Sequence, residues 1–273
     1  MKKINLTKKF LSLVIFCALI FLAGGHSEST AAPKTSAKNF YRGLSQKLSK
    51  NRADYPALND YEFANFRAVT VTGIAPGILY RSSSPVKPWG NRNLIADSAS
   101  RAVGIKSFIN LADESKNLQG YKNFVDSYYS TQKIICLGLN LKFKSKKFEE
   151  GVAKAVRFIA NNSGPYLIHC DLGKDRCGIV CAILESLAGA SPEEIVADYL
   201  ISFYNYFGIE PGSSDYEFVA NNEIRPFLAS IFEIKNIYEV NLAAAARRYL
   251  LRIGLSEQEI ELAIKNLSTE KNF

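Results

Sequence analysis

Tyr166-Leu-Ile-His-Cys-Asp-Leu-Gly-Lys-Asp-Arg-Cys-Gly178 reads as a short apolar strand, a tight polar loop and the first turn of a helix. Five residues separate Cys170 from Arg176. A loop of that length can curl around a tetrahedral oxyanion. Its backbone N–H groups then converge as a nest, and the helix behind it adds its positive N-terminal end. Gly173 permits the tight bend. Arg176 offers a planar fork to two oxygens of the anion. The same positive surroundings lower the pKa of Cys170, and a thiolate under a bound phosphate is placed for in-line attack on phosphorus. No metal or cofactor is implied, because the loop itself offsets the phosphate charge. A buried core cysteine followed by a helix-start arginine is the bland reading of the same residues.

Outward from this loop, strands alternate with helices. Expected strands lie at 68–72, 78–81, 105–111, 133–139 and 166–170. Expected helices lie at 93–103, 120–129, 147–161 and 178–187. Val152, Ala155, Val156 and Ile159 share one helical face. Ser191-Pro-Glu-Glu194 opens a further helix with a capping box. The C-terminal part reads as helices over 216–232, 237–252 and 257–267. This order predicts an α/β fold with a mostly parallel central sheet flanked by helices.

The chain has 273 residues, of which 47% are hydrophobic, 22% charged and 12% aromatic, which excludes a largely disordered or collagen-like protein. Five cysteines at irregular spacing do not form a disulfide framework. Two histidines leave little room for a His-rich metal site. Lys2, Lys3, Lys8 and Lys9 precede an apolar run from Phe10 to Ala23, followed by small residues. Residues 1–31 are therefore expected to be a signal peptide that directs the chain to a secreted or periplasmic location; an uncleaved N-terminal anchor is the rival. Residues 32–60 are polar and read as a linker and N-terminal arm, and 61–270 as one catalytic domain. Without residues 1–31 the net charge falls from +8 to +5, which suits an anionic substrate and gives no sign of nucleic acid. The oligomeric state is not legible.

His169-Cys170-Asp171-Leu172-Gly173-Lys174-Asp175-Arg176 resembles the HCxxGxxR loop of cysteine-based protein tyrosine phosphatases. Its GKDR ending is similar to a bacterial branch of secreted enzymes that act on phosphotyrosine and, in some members, on phosphoserine/threonine and phosphoinositides. The resemblance extends over about 60–267: Asn65-Phe-Arg67, Pro76-Gly-Ile-Leu-Tyr-Arg81-Ser-Ser83, Gly104 to Leu111, Ile195 to Leu200, and Tyr249 to Ile260. It implies a protein-tyrosine-phosphatase-like fold and a phosphocysteine intermediate. It also implies a phosphorylated protein or a phosphoinositide as partner, so that a membrane-surface substrate is compatible with it. Cys170, Asp175 and Arg176 take the catalytic places. Asp171, Leu172, Gly173, Lys174 and Arg176 take the substrate-binding ones. His169, Cys177 and Arg81 take supporting ones. In that branch the loop Asp, here Asp175, serves as acid; Asp171 and Asp113 are weaker candidates. Lys174 is the position associated with phosphoinositides, and Lys142, Lys144, Lys146 and Lys147 form a basic run nearby. The aromatic segment from Phe203 to Phe218 resembles a helical lid. Two departures stand out. Cys177 replaces the usual Ser or Thr, and Ala112 replaces a frequent Arg. An inactive fold that only holds phosphorylated ligands is the rival from another class.

Overall fold

The computed structural model describes residues 34–269. The expected signal peptide lies outside the described residues. The chain opens with α1 (Lys34–Lys47) and a short α2 (Asp60–Phe63) capped by Asn59. The segment read as a linker and arm thus carries a helix. Ala37, Tyr41 and Leu44 recur along it at helical spacing and are buried against the core, with Phe40 stacked on Phe218.

Then follow β1 (Arg67–Ala68), β2 (Leu79–Ser82), α3 (Arg92–Ala102), β3 (Ser107–Asn110), α4 (Ser115–Leu118), β4 (Lys133–Cys136), α5 (Lys146–Asn161) and β5 (Tyr166–His169). The helical remainder is α6 (Asp175–Ala188), α7 (Pro192–Phe207), α8 (Ser214–Asn222), α9 (Ile224–Phe232), α10 (Leu242–Arg252) and α11 (Glu257–Ser268). The sheet order is β1-β2-β5-β3-β4, with β1 antiparallel and every other pairing parallel. The expected α/β fold with a mostly parallel sheet and flanking helices is the one found. β5 sits at its centre, buried at all four residues because both faces are covered. Its C-terminal end lies between those of β2 and β3, where a parallel sheet opens a crevice for a ligand.

Three expectations change. No helix forms over 120–129. There, side chains take over the backbone groups: Asp97 accepts from the N–H groups of Tyr128 and Tyr129, and the Ser127 hydroxyl donates to the Phe124 carbonyl. Such local bonds compete with the helical ladder and hold a series of turns. The helix expected over 216–232 is two helices, broken at Glu223, whose φ −124 and ψ −86 are not helical. Finally, α6 begins at Asp175 rather than Gly178, so the second half of the polar loop is already its first turn.

Gly178 lies inside α6. A Cβ there would stand 2.5 Å from the Tyr199 ring of α7 and 3.2 Å from an Arg81 guanidinium nitrogen. Alanine gains about 1 kcal/mol of helix propensity over glycine. Overpacking a filled interior costs about 1–3 kcal/mol, so the clash decides. Gly178→Ala is expected to lower the urea midpoint of unfolding, and a raised midpoint would contradict this packing.

Candidate active site

Most of the long helices carry a side-chain cap: Ser145, Ser191, Ser213, Asn241 and Ser256 each accept an N–H of the first turn. α6 has none, although it follows directly on the polar loop. Of its first N–H groups that of Cys177 bonds to the Cys170 sulfur, and the helix dipole favours an anion at this end.

The loop before it is held from behind. The Asp171 carbonyl accepts from the Ser84 N–H at 3.2 Å. That of Leu172 accepts from Asn65 Nδ2 at 3.0 Å and from the Tyr206 hydroxyl at 2.7 Å. One nitrogen of Arg81 donates to both Gly173 O at 3.0 Å and Lys174 O at 3.2 Å. Four successive carbonyls are thus bound on the sheet-and-helix side. The N–H groups of Asp171, Leu172 and Gly173 have no acceptor among the described residues. Gly173 adopts φ +69, and a Cβ there would stand 2.3 Å from Ser82 O, so only glycine fits between the loop and the end of β2. The loop carbonyls are thus tied down on one side while these N–H groups are left without acceptors among the described residues, an arrangement that suits an anion.

Arg81 is wholly buried, and its other terminal nitrogen pairs with Asp198 of α7. The second Asp198 oxygen accepts from Arg67 Nε at 3.1 Å. Burial alone would raise the Asp198 carboxyl; the two guanidinium groups outweigh it and draw it down to about 2. Arg81 is therefore a brace under the loop.

Cys170 is 3% exposed. Burial acts to raise its thiol, but a hydrogen bond from the Cys177 thiol and the charge of Arg176 outweigh burial and bring it down to about 6. Cys177 itself is pushed well above its ordinary value by burial and by Cys170, so it remains a donor. The same thiol also lies 3.6 Å from the Ile168 carbonyl, a second acceptor for its one proton. Arg176 donates to Asp171 Oδ2 at 2.6 Å and to Leu139 O at 3.1 Å; its buried Nε has no partner among the described residues. Asp171 also pairs with Lys87, and these two cations overcome burial to lower its pKa. Its side chain thus steadies Arg176, and its N–H is what it offers to the nest.

Lys174 is placed differently from a substrate contact on an open rim. It is 2% exposed, paired with Asp175, and its ammonium lies 4.4 Å from the centre of the Phe203 ring. Its charge also reaches Glu223, a buried carboxyl that accepts from the Tyr199 hydroxyl at 2.6 Å. Leu172 is buried. His169 is buried beside Tyr129, its Nε2 3.1 Å from the Tyr129 hydroxyl. Asp113 accepts from Tyr121 at 2.6 Å and from Asn110 at 3.1 Å. Lys142, Lys144, Lys146 and Lys147 are exposed on the segment that follows Leu139. Asn65, Tyr206, Asn110 and Tyr129 did not emerge from the sequence as site residues. Asn65 stood in the Asn-Phe-Arg element, Asn110 in the Gly104–Leu111 stretch and Tyr206 in the aromatic segment, whereas Tyr129 carried no signal.

A mostly parallel sheet whose central strand runs into a cysteine-containing loop at the crevice defines an α/β protein with a candidate anion-binding site. Residues 109–266 match the tyrosine phosphatase family, and the chain belongs to that family. A tyrosine-protein phosphatase from Nostoc commune is 44% identical over 59 residues, which are 22% of this chain and 20% of that protein. The chain therefore matches about a fifth of the length of this relative. The core catalytic domain of the PP-IP phosphatase SIW14 from S. cerevisiae is 23% identical, over 59% of this chain and 85% of that one, with a TM-score of 0.35. A second structure of that catalytic core is 19% identical, over 57% and 95%, with a TM-score of 0.33.

Arg81→Met removes one partner of a buried ion pair, a loss of about 3–5 kcal/mol where no other cation remains. Arg67 still faces Asp198, which places the expected loss at the lower end, about 3 kcal/mol. Chemical denaturation reads it; an unchanged midpoint would show that the brace adds nothing.

Proposed function

We propose that this chain is a phosphomonoester hydrolase acting through a phosphocysteine at Cys170, with phosphotyrosine in proteins as its substrate. The observation that carries the reading is a run of loop N–H groups without acceptors among the described residues, next to a thiol drawn down to about 6 by Cys177 and Arg176.

The roles follow from that geometry. The nest and Arg176 bind the phosphoryl oxygens and offset the charge that builds on them. Cys170 Sγ attacks phosphorus as the bond to the ester oxygen breaks. Asp175 gives that oxygen its proton. Its Oδ1 is taken by Lys174, which leaves the other oxygen for proton traffic. Asp175 then takes a proton from water as it attacks the phosphocysteine, the S–P bond breaks, and the thiolate is regenerated. Cys177 donates to that thiolate, a weaker donor than a hydroxyl, which favours slow release. The burial of Lys174 supports a substrate with a single phosphate group. The exposed lysines after Leu139 favour a second reading, a phosphoinositide whose further phosphates meet that rim. The leader-like residues 1–31 support action outside the cytoplasm.

The test is phosphate release from a phosphotyrosine peptide, a phosphoserine peptide and a phosphoinositide panel under reducing conditions. Cys170→Ser is expected to abolish release. Binding of all three without turnover by the unaltered chain would leave only the inactive module. In the active enzyme kcat/KM should fall tenfold per pH unit as pH drops below about 6, because only the thiolate attacks. An acidic limb nearer the ordinary thiol value would count against the Cys177 hydrogen bond and Arg176 as its cause.

A further inference from the structure

Lys87 stands outside the cysteine loop and outside residues 109–266, which match the family, yet it touches the loop. It is carried by the turn that follows β2. The Ser83 N–H donates to the Ala64 carbonyl at 3.0 Å, and the Ser84 N–H donates to that of Asp171 at 3.2 Å. The Ser84 hydroxyl oxygen accepts from the Lys87 N–H at 3.0 Å, which closes a turn over Pro85 and Val86. Val86 is buried in an apolar cluster with Phe66 and Phe108 and anchors that turn. From there the Lys87 ammonium reaches Asp171 Oδ1 at 2.5 Å. One turn thus grips Asp171 twice, at its carbonyl through Ser84 and at its carboxylate through Lys87. The other carboxylate oxygen, Oδ2, accepts from Arg176 Nη2 at 2.6 Å, and Arg176 Nη1 donates to Leu139 O at 3.1 Å. The buried Nε has no partner among the described residues, and Nη2 keeps a second proton. Nε and Nη2 form one edge of the planar fork, the edge that suits two oxygens of a phosphoryl group. The Asp171 carboxylate is itself an anion, and it opposes the thiolate at Cys170. Without a second cation it would compete with a phosphoryl group for Arg176.

We propose that Lys87 is a positioning residue of this site: it holds the Asp171 carboxylate in place and offsets its charge, so that Arg176 keeps its Nε–Nη2 edge for a phosphoryl group. The inference rests on the loop being a phosphoryl site. The groups that face this carboxylate are Lys87, Arg176 from α6, His169 and Cys170 at the end of β5, and Tyr121 from the turns before β4. Lys87 and Arg176 are the two cations that draw on it. Lys87 is 28% exposed whereas Asp171 and Arg176 are buried, so its charge can be removed without opening the interior.

The test uses inorganic phosphate as the probe and needs no turnover. Its readout is the phosphate concentration that halves the rate of Cys170 alkylation by iodoacetamide in the full chain at neutral pH, with Cys170→Ser as the blank. Lys87→Met is expected to raise that concentration about fivefold, the upper end of what a part-exposed ion pair supplies. Lys87→Arg, which keeps a cation within reach of Asp171, should restore most of the protection. Because Lys87 acts through Asp171, Lys87→Met made on top of Asp171→Asn should change protection by less than about twofold relative to Asp171→Asn alone. The same loss in both backgrounds overturns the proposal, since Lys87 would then be a general attractor of anions. If Lys87→Met does not fold, Lys87→Gln takes its place in both backgrounds. Phosphate that protects the unaltered chain and Lys87→Met alike sinks the role of Lys87 alone. Phosphate that fails to protect the unaltered chain sinks the reading of the loop as a phosphoryl site, and this inference with it.

Discussion

The Arg81 guanidinium is the point on which the site depends. It lies wholly buried between β2 and α7, bound to Asp198 on one side and to two loop carbonyls on the other. A peptide loop can turn its N–H groups towards an anion only if its carbonyls find donors elsewhere. Arg81, Asn65, Tyr206 and the Ser84 N–H supply those donors from three separate parts of the chain. The sheet register fixes where β2 ends, α7 fixes Asp198, and Gly178 leaves room for the guanidinium and the Tyr199 ring. Fold and cradle are in that sense one construction.

In front of that brace the charges are graded. Asp171 steadies Arg176 and also opposes the Cys170 thiolate, while Arg176 and Cys177 favour it. Burial acts against the thiolate as well, so its low pKa is the outcome of named donors overcoming a large desolvation cost. Three buried cysteines near one another carry different electrostatics. Cys170 is drawn down to about 6, whereas Cys177 and Cys181 are both pushed up, first of all by burial. The distinction comes from the Cys177 hydrogen bonds and the Arg176 charge that only Cys170 receives in this way, rather than from residue type.

The central loop was legible because its information is local: strand, nest and helix start follow each other within thirteen residues, 166–178. The parallel sheet was legible for a similar reason, from strands alternating with helices. The helix over 34–47 was missed although Ala37, Tyr41 and Leu44 held the helical period, because lysines and asparagines masked it. The helix expected at 120–129 failed because Asp97, distant in sequence, captures its backbone donors. Tyr129 escaped notice because no short motif contains it, and Asn110, though inside the Gly104–Leu111 stretch, comes beside His169 only through the register of β3 against β5. Lys174 looked like a substrate contact because of its place in the loop, and its burial depends on Phe203 and Glu223, which come from α7 and the α8–α9 junction.

That last placement bears on where the working unit ends. An ammonium group 2% exposed cannot be left among apolar side chains without its counter-charges and aromatic face. Phe203 and Glu223 supply part of that environment, and α1 packs Phe40 and Tyr41 against Phe218 of the same region. A fragment trimmed to the sheet and α6 would expose the lysine's pocket and loosen the loop from within. The environment of this loop therefore includes both the N-terminal helix and the helices beyond residue 203, and residues 169–176 alone would not keep their geometry in another scaffold.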